Sequence, residues 1–272
     1  MNLPAYVKFF KEEPDLKSIN QKNVIRIVAF NPDNENDDIL NEWATSFRRN
    51  YSDDDDLSFF SESLNITKSE YLKELVFPNK KAPGPAVKSG DFAEILVCDY
   101  LEFIKGYIVP RTRYDDKIHR NKSTEGSDVL AYKVKDIEKP DPNDEFLVVE
   151  VKSQATGKKA SNSLQRAVND TIKSQNPERI AESMLACERR LHRKGNNDGI
   201  VKLISRFMDR ASNPCIENLG AAAVHSDENY SKNMIMTVDT SGLKDKHIYL
   251  LVIHCPQLMN VVNRIYERAL QC

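Results

Sequence analysis

The chain has 272 residues, 40% hydrophobic and 29% charged, a composition that fits a folded globular protein and excludes a disordered or fibrous one. At this length about 75% of the unfolded surface can be buried, so folding requires neither disulfides nor a structural metal. The net charge of -2 argues against indiscriminate nucleic-acid binding but hides an asymmetry: residues 1–80 carry 15 acidic and 10 basic side chains, and residues 150–210 carry 7 and 13.

In chain order, VIRIVAF (24–30) predicts a strand, and Ile39, Leu40, Trp43 and Phe47 then recur at helical spacing. Asp53–Asp56 reads as a solvated acidic loop, since nothing nearby organises these carboxylates around a cation. Thr67-Lys-Ser-Glu70 forms a capping box that opens a helix, and Pro78 ends it. PNKKAPGPAVKSG (78–90) holds three prolines and two glycines and predicts a boundary. An N-terminal acidic extension (1–80) and a main domain (81–272) follow from it.

Ala93, Leu96, Val97, Tyr100, Leu101 and Ile104 predict an amphipathic helix. Strands are expected at 106–114 (GYIVPRTRY), 127–134 (SDVLAYKV) and 146–154 (FLVVEVKSQ). Helical periodicity dominates 162–210, with a break at Pro177 and a turn at 195–199. Strands at 219–225 and 247–254 and a helix from about Pro256 to Leu270 complete an α/β (α+β) pattern around a small mixed sheet.

Several chemistries are absent from this pattern. There is no G-x-G-x-x-G, no phosphate-binding P-loop, no G-x-S-x-G elbow and no H-x-x-x-H pair. The five scattered cysteines read as reduced intracellular thiols. Residues 1–13 lack the apolar core of a signal peptide, and the apolar run 248–255 is too short for a bilayer, so a cytoplasmic location is expected.

The residues with chemical promise lie in VVEVKSQ (148–154). A bare [D/E]-x-K occurs three times in the chain, but only Glu150-Val-Lys152 lies inside an apolar strand. The strand period of two puts Glu150 and Lys152 on one face, opposite Leu147, Val149 and Val151. Taken alone, this pair also reads as a salt bridge on a half-exposed sheet. Asp128 and Glu150 are 22 residues apart about Lys139, so a symmetric hairpin sets them opposite each other on one face. Opposed carboxylates repel unless a cation lies between them, and hard oxygen ligands suit Mg²⁺ or Mn²⁺. Glu94, beside the apolar stripe of its helix, is the third candidate carboxylate.

Gly90-Asp-Phe-Ala-Glu94, Gly126-Ser-Asp128 and Glu150-Val-Lys152 together resemble the PD-(D/E)xK nuclease superfamily, with Ser127 in place of the proline. Gln154 matches the E-x-K-x-Q form of some branches. The wording GDFAEILVCDYLEFIKGY, EGSDVLAYKV and LQRAVNDTIKS resembles the nuclease subunit of the bacterial Hachiman anti-phage system, over roughly residues 85–272. The resemblance implies a core of helix, three-stranded meander, helix and further strands. It also implies a metal-dependent DNA nuclease with Glu94, Asp128 and Glu150 at the metal and Lys152 and Gln154 as further catalytic residues. In that reading Lys158, Lys159, Arg166 and Lys173 follow the DNA backbone, and a superfamily 2 helicase is the partner. The alternative is a nuclease-fold interaction module, without catalysis, that regulates or is carried by a helicase.

Overall fold

The computed structural model describes residues 3–32, 36–115, 117–157, 159–195, 198–243 and 248–272. Its strands are β1 (Phe10–Lys17), β2 (Val24–Phe30), β3 (Val129–Lys133), β4 (Glu145–Gln154), β5 (Ile216–Ser226) and β6 (Ile248–Cys255). They form one sheet in the order β1–β2–β6–β5–β4–β3. β2, β6, β5 and β4 are parallel, and β1 and β3 close the two edges antiparallel. The parallel strands are covered on both faces, which explains their nearly continuous apolar runs.

The helices are α1 (Asp37–Arg49), α2 (Asp54–Ser63), α3 (Lys68–Tyr71), α4 (Gly84–Asp99), α5 (Ser163–Ser174), α6 (Pro177–Lys194), α7 (Asp198–Met208), α8 (Lys232–Met236) and α9 (Leu258–Ala269). On one face, Trp43, Phe92 and Tyr266 from α1, α4 and α9 pack in a core with Val149, Val151, Val224 and Ile253 of the sheet. On the other, Leu164 and Val168 of α5 meet Ala221, Ala223 and Val252. Met184 of α6 and Leu203 and Phe207 of α7 cover Tyr132, Phe146 and Val148 near the β3 edge. No helix of the described residues is long and apolar enough to cross a membrane.

The mixed α/β class matches expectation, but four local readings need correction. Residues 106–114 form no strand; a single bridge, Ile108 to Tyr132, is their one β pairing with the sheet. Pro110 has no N–H to offer, and Arg111 is drawn away to Asp99 and Glu102 at 2.7 and 2.6 Å. The acidic run is not a loop. Asp53 caps α2 by accepting the Asp56 N–H at 2.8 Å, and Asp54–Asp56 occupy the first turn, where the helix dipole favours carboxylates. The segment 78–90 turns helical from Gly84 on, because Pro83 and Pro85 stand at the start of α4, where a missing N–H does no harm. Finally, β1 went unpredicted: it is a polar edge strand whose Pro14 lies at a bulge between Glu13 and Leu16.

Residues on either side of position 80 share one sheet and one core. Ile25 to Ala29 of β2 pair with Leu250 to His254 of β6. The Trp43 ring lies 5.3 Å from Phe30 and 6.0 Å from Phe92.

Candidate active site

β3 and β4 pair with Val129 opposite Val149. Carried back one residue, this register sets Asp128 against Glu150, as hairpin symmetry about Lys139 predicts. Asp128 Oδ2 accepts the backbone N–H of Val151 at 2.8 Å, which fixes the carboxylate at the mouth of the strand pair. Glu150 and Lys152 point to the α5 side, where their β5 neighbours are only Ala221 and Ala223. Small neighbours let α5 approach, and Thr171 Oγ1 donates to the Gly220 carbonyl at 2.9 Å. α5 thereby brings Asp170 to 2.7 Å from Lys152 Nζ.

Glu94 arrives from the other face of the sheet. Its helix packs against Val149 and Val151. Arg113 joins it to Asp128: Nε donates to Glu94 Oε2 at 2.6 Å and Nη2 to Asp128 Oδ1 at 2.7 Å. Tyr114 donates its hydroxyl to the same Glu94 oxygen. Glu94, Asp128, Glu150 and Lys152 thus line one cleft of about 960 Å³, whose wall also carries Lys173 and Arg179.

The electrostatics follow from burial and crowding. Glu150 is 4% exposed, and burial followed by the charge of Asp128 raises its pKa. Its Oε1 makes no hydrogen bond of normal geometry; the Ser174 hydroxyl and Arg179, whose Nη2 stands 3.6 Å away, offset only part of the rise. Burial and Asp128 also raise the pKa of Glu94, against the pull of Arg113. Burial works against the Lys152 ammonium, but its bond to Asp170 and the charges of Asp128 and Asp170 outweigh this, so its pKa is raised. Lys152 therefore remains a cation throughout the physiological range.

Two carboxylates that repel in a buried site, one with an orphaned oxygen, suit a hard divalent ion that takes the rest of its shell from water and substrate. Among the described residues, no three His, Cys, Asp or Glu side chains gather closely enough to hold an ion. The fit is therefore to the pair Asp128 and Glu150.

Of the other candidates among the described residues, only Lys173 borders the cleft. Gln154 does not line the cleft; its Nε2 donates to the Thr156 carbonyl at 2.6 Å, and its Oε1 accepts from Arg166 at 3.0 Å. Lys159, Arg166 and Lys173 are exposed, with Lys173 paired to Asp170 at 3.0 Å, and Lys158 lies outside the described residues. Sequence reasoning missed Arg113, Tyr114, Asp170 and Arg179.

Sheet, helices and the acid–lysine strand together define an α/β protein with a nuclease-like core. The chain belongs to the HamA family, whose model matches residues 4–269, and this agrees with the Hachiman resemblance of its motifs. No curated protein matches it.

Proposed function

We propose that the chain is a divalent-metal-dependent DNA nuclease, the effector of an anti-phage defence system that works with a helicase partner. The observation that carries this reading is the buried Glu150 carboxylate, set opposite Asp128 with an unpartnered oxygen and a raised pKa. A fold retains such a charge at a cost unless a bound cation relieves it.

Asp128 and Glu150 would hold the ion. When bound, a Mg²⁺ or Mn²⁺ ion makes a water more nucleophilic and neutralises charge on the phosphate. Lys152, held by Asp170, presents a fixed ammonium to the developing charge on the phosphate oxygens. Arg179, partly exposed and only loosely paired to Glu150, can contact the same phosphate. Lys159, Arg166 and Lys173 supply the sequence-independent attraction to the backbone. Gln154 serves indirectly by holding Arg166.

The test is Mg²⁺-dependent degradation of DNA by the full chain, alone and with its helicase partner. Glu150→Ala and Lys152→Ala should each lower cleavage about 100-fold or more while the protein stays folded. Full activity in both variants would return this strand to a salt-bridge role.

A further inference from the structure

Arg113 is bonded too completely to be a passing counter-ion. Nε donates to Glu94 at 2.6 Å. Nη2 donates to Asp128 at 2.7 Å and to the Thr124 carbonyl at 3.2 Å. Nη1 donates to the Ser127 carbonyl. All three nitrogens are engaged, and the partners span α4, the loop before β3 and Asp128 itself. Withdrawing the guanidinium would strand a buried carboxylate and the carbonyls of Thr124 and Ser127.

Glu94 is tied to Arg113 through one oxygen, since its Oε2 accepts from both Arg113 and Tyr114. Glu150 differs: its Oε1 is buried and without a hydrogen bond. Asp128 is intermediate, since each oxygen accepts one hydrogen bond, from Arg113 and from the Val151 N–H, and keeps a lone pair. The charges point the same way. Glu94, Asp128 and Glu150 bring three negative charges. Arg113 returns one, Arg179 stands 3.6 Å from Glu150 as a loose second, and Lys152 is taken up by Asp170. The balance stays negative, and the unbonded oxygen places the deficit on the Glu150 side of Asp128.

We propose that Arg113 is a built-in cation occupying the place beside Asp128 that a second metal would take. The site then holds one divalent ion, on Asp128 and Glu150. Glu94 anchors Arg113 and is not a metal ligand. This rests on the reading of the cleft as a metal-dependent nuclease site. Arg113 and Glu94 are positioning residues: they fix the loop 124–128 and hence the angle at which Asp128 meets the ion.

The test is calorimetric titration of the full chain with Mn²⁺, with the number of bound ions counted independently by electron paramagnetic resonance. One ion per chain is expected. Glu94→Gln keeps an acceptor for Arg113, should still bind one ion, and should lose affinity by on the order of tenfold, the effect of removing an outer-shell partner. Asp128→Asn and Glu150→Gln should abolish binding. Two ions per wild-type chain would overturn the proposal, as would a loss in Glu94→Gln as complete as in Glu150→Gln; in both cases the metal-dependent reading survives. No Mn²⁺ binding by the wild type at millimolar concentration would overturn both. The wild-type count stands whatever the folding of any variant.

Discussion

The carboxyl of Glu150 is destabilised by the fold itself. Burial and the facing Asp128 raise its pKa above the ordinary carboxylate value, so the folded chain binds a proton here more tightly than the unfolded chain does. The sign of the linkage is then fixed. The contribution of Glu150 to stability is fully present below the unfolded value of 4.5 and is lost as pH rises through the raised folded value. Glu150→Gln removes the ionisation and keeps the shape. In metal-free buffer it should melt higher than wild type at pH 8, by about 2 to 4 °C for each kcal/mol recovered. The difference should shrink toward zero near pH 4, and adding Mg²⁺ should stabilise wild type alone. Melting curves across this range check it; a wild type that outlasts Glu150→Gln at pH 8 would mean that Arg179 already neutralises the carboxylate.

At the scale of elements, the segment between α4 and β3 decides whether the site is assembled, although it forms no strand. Asp91 of α4 and Lys117 of this segment pair at 2.6 Å with side chains only 4% and 5% exposed, and Tyr51 donates to the same carboxylate at 2.8 Å. Removing one partner leaves an uncompensated buried charge, so Lys117→Met should cost about 3–5 kcal/mol in chemical denaturation. The double variant Asp91→Asn, Lys117→Met should recover much of that loss; equal damage in single and double variants would mean that packing, not charge, is lost. This segment also marks where the sequence was legible and where it was not. The β3–β4 hairpin could be read in advance, register included, because two apolar runs flank one polar loop and the period of two assigns every side chain a face. The meaning of Arg111 and Arg113 could not, because Arg111 bonds to Asp99 and Glu102 and Arg113 to Glu94 and Asp128, contacts that no local period encodes. Glu94 was found for its place beside the apolar stripe, but its attachment to Arg113 and Tyr114 depends on that same irregular segment. α2 was misread for a related reason, since four consecutive aspartates look like a solvated loop until the first of them is seen to cap a helix.

At the scale of the whole molecule, the acidic N-terminal part completes the sheet that carries the site. β2 covers the edge of β6 along five residue pairs, and Tyr6, Phe9, Phe30 and Trp43 belong to the same core as Phe92 and Tyr266. Tyr51 reaches further, donating to Asp91 and stacking on Tyr114 at 5.0 Å, and so touches the elements that hold Glu94. Removing residues 1–80 would expose a long, apolar parallel strand as an open edge and uncover one face of α4 and α9. Residues 81–272 alone should therefore be aggregation-prone and lack a cooperative melting transition, whereas the full chain should melt in one step. Soluble residues 81–272 with their own sharp transition would show that the N-terminal part is only an appendage. The charge asymmetry acquires a spatial meaning from the same arrangement. Residues 1–80, which help build the scaffold, carry an acidic excess, and the basic stretch 150–210 includes α5 and α6, whose Lys173 and Arg179 face the cleft. A near-neutral chain can in this way attract a polyanion to one face without binding it everywhere.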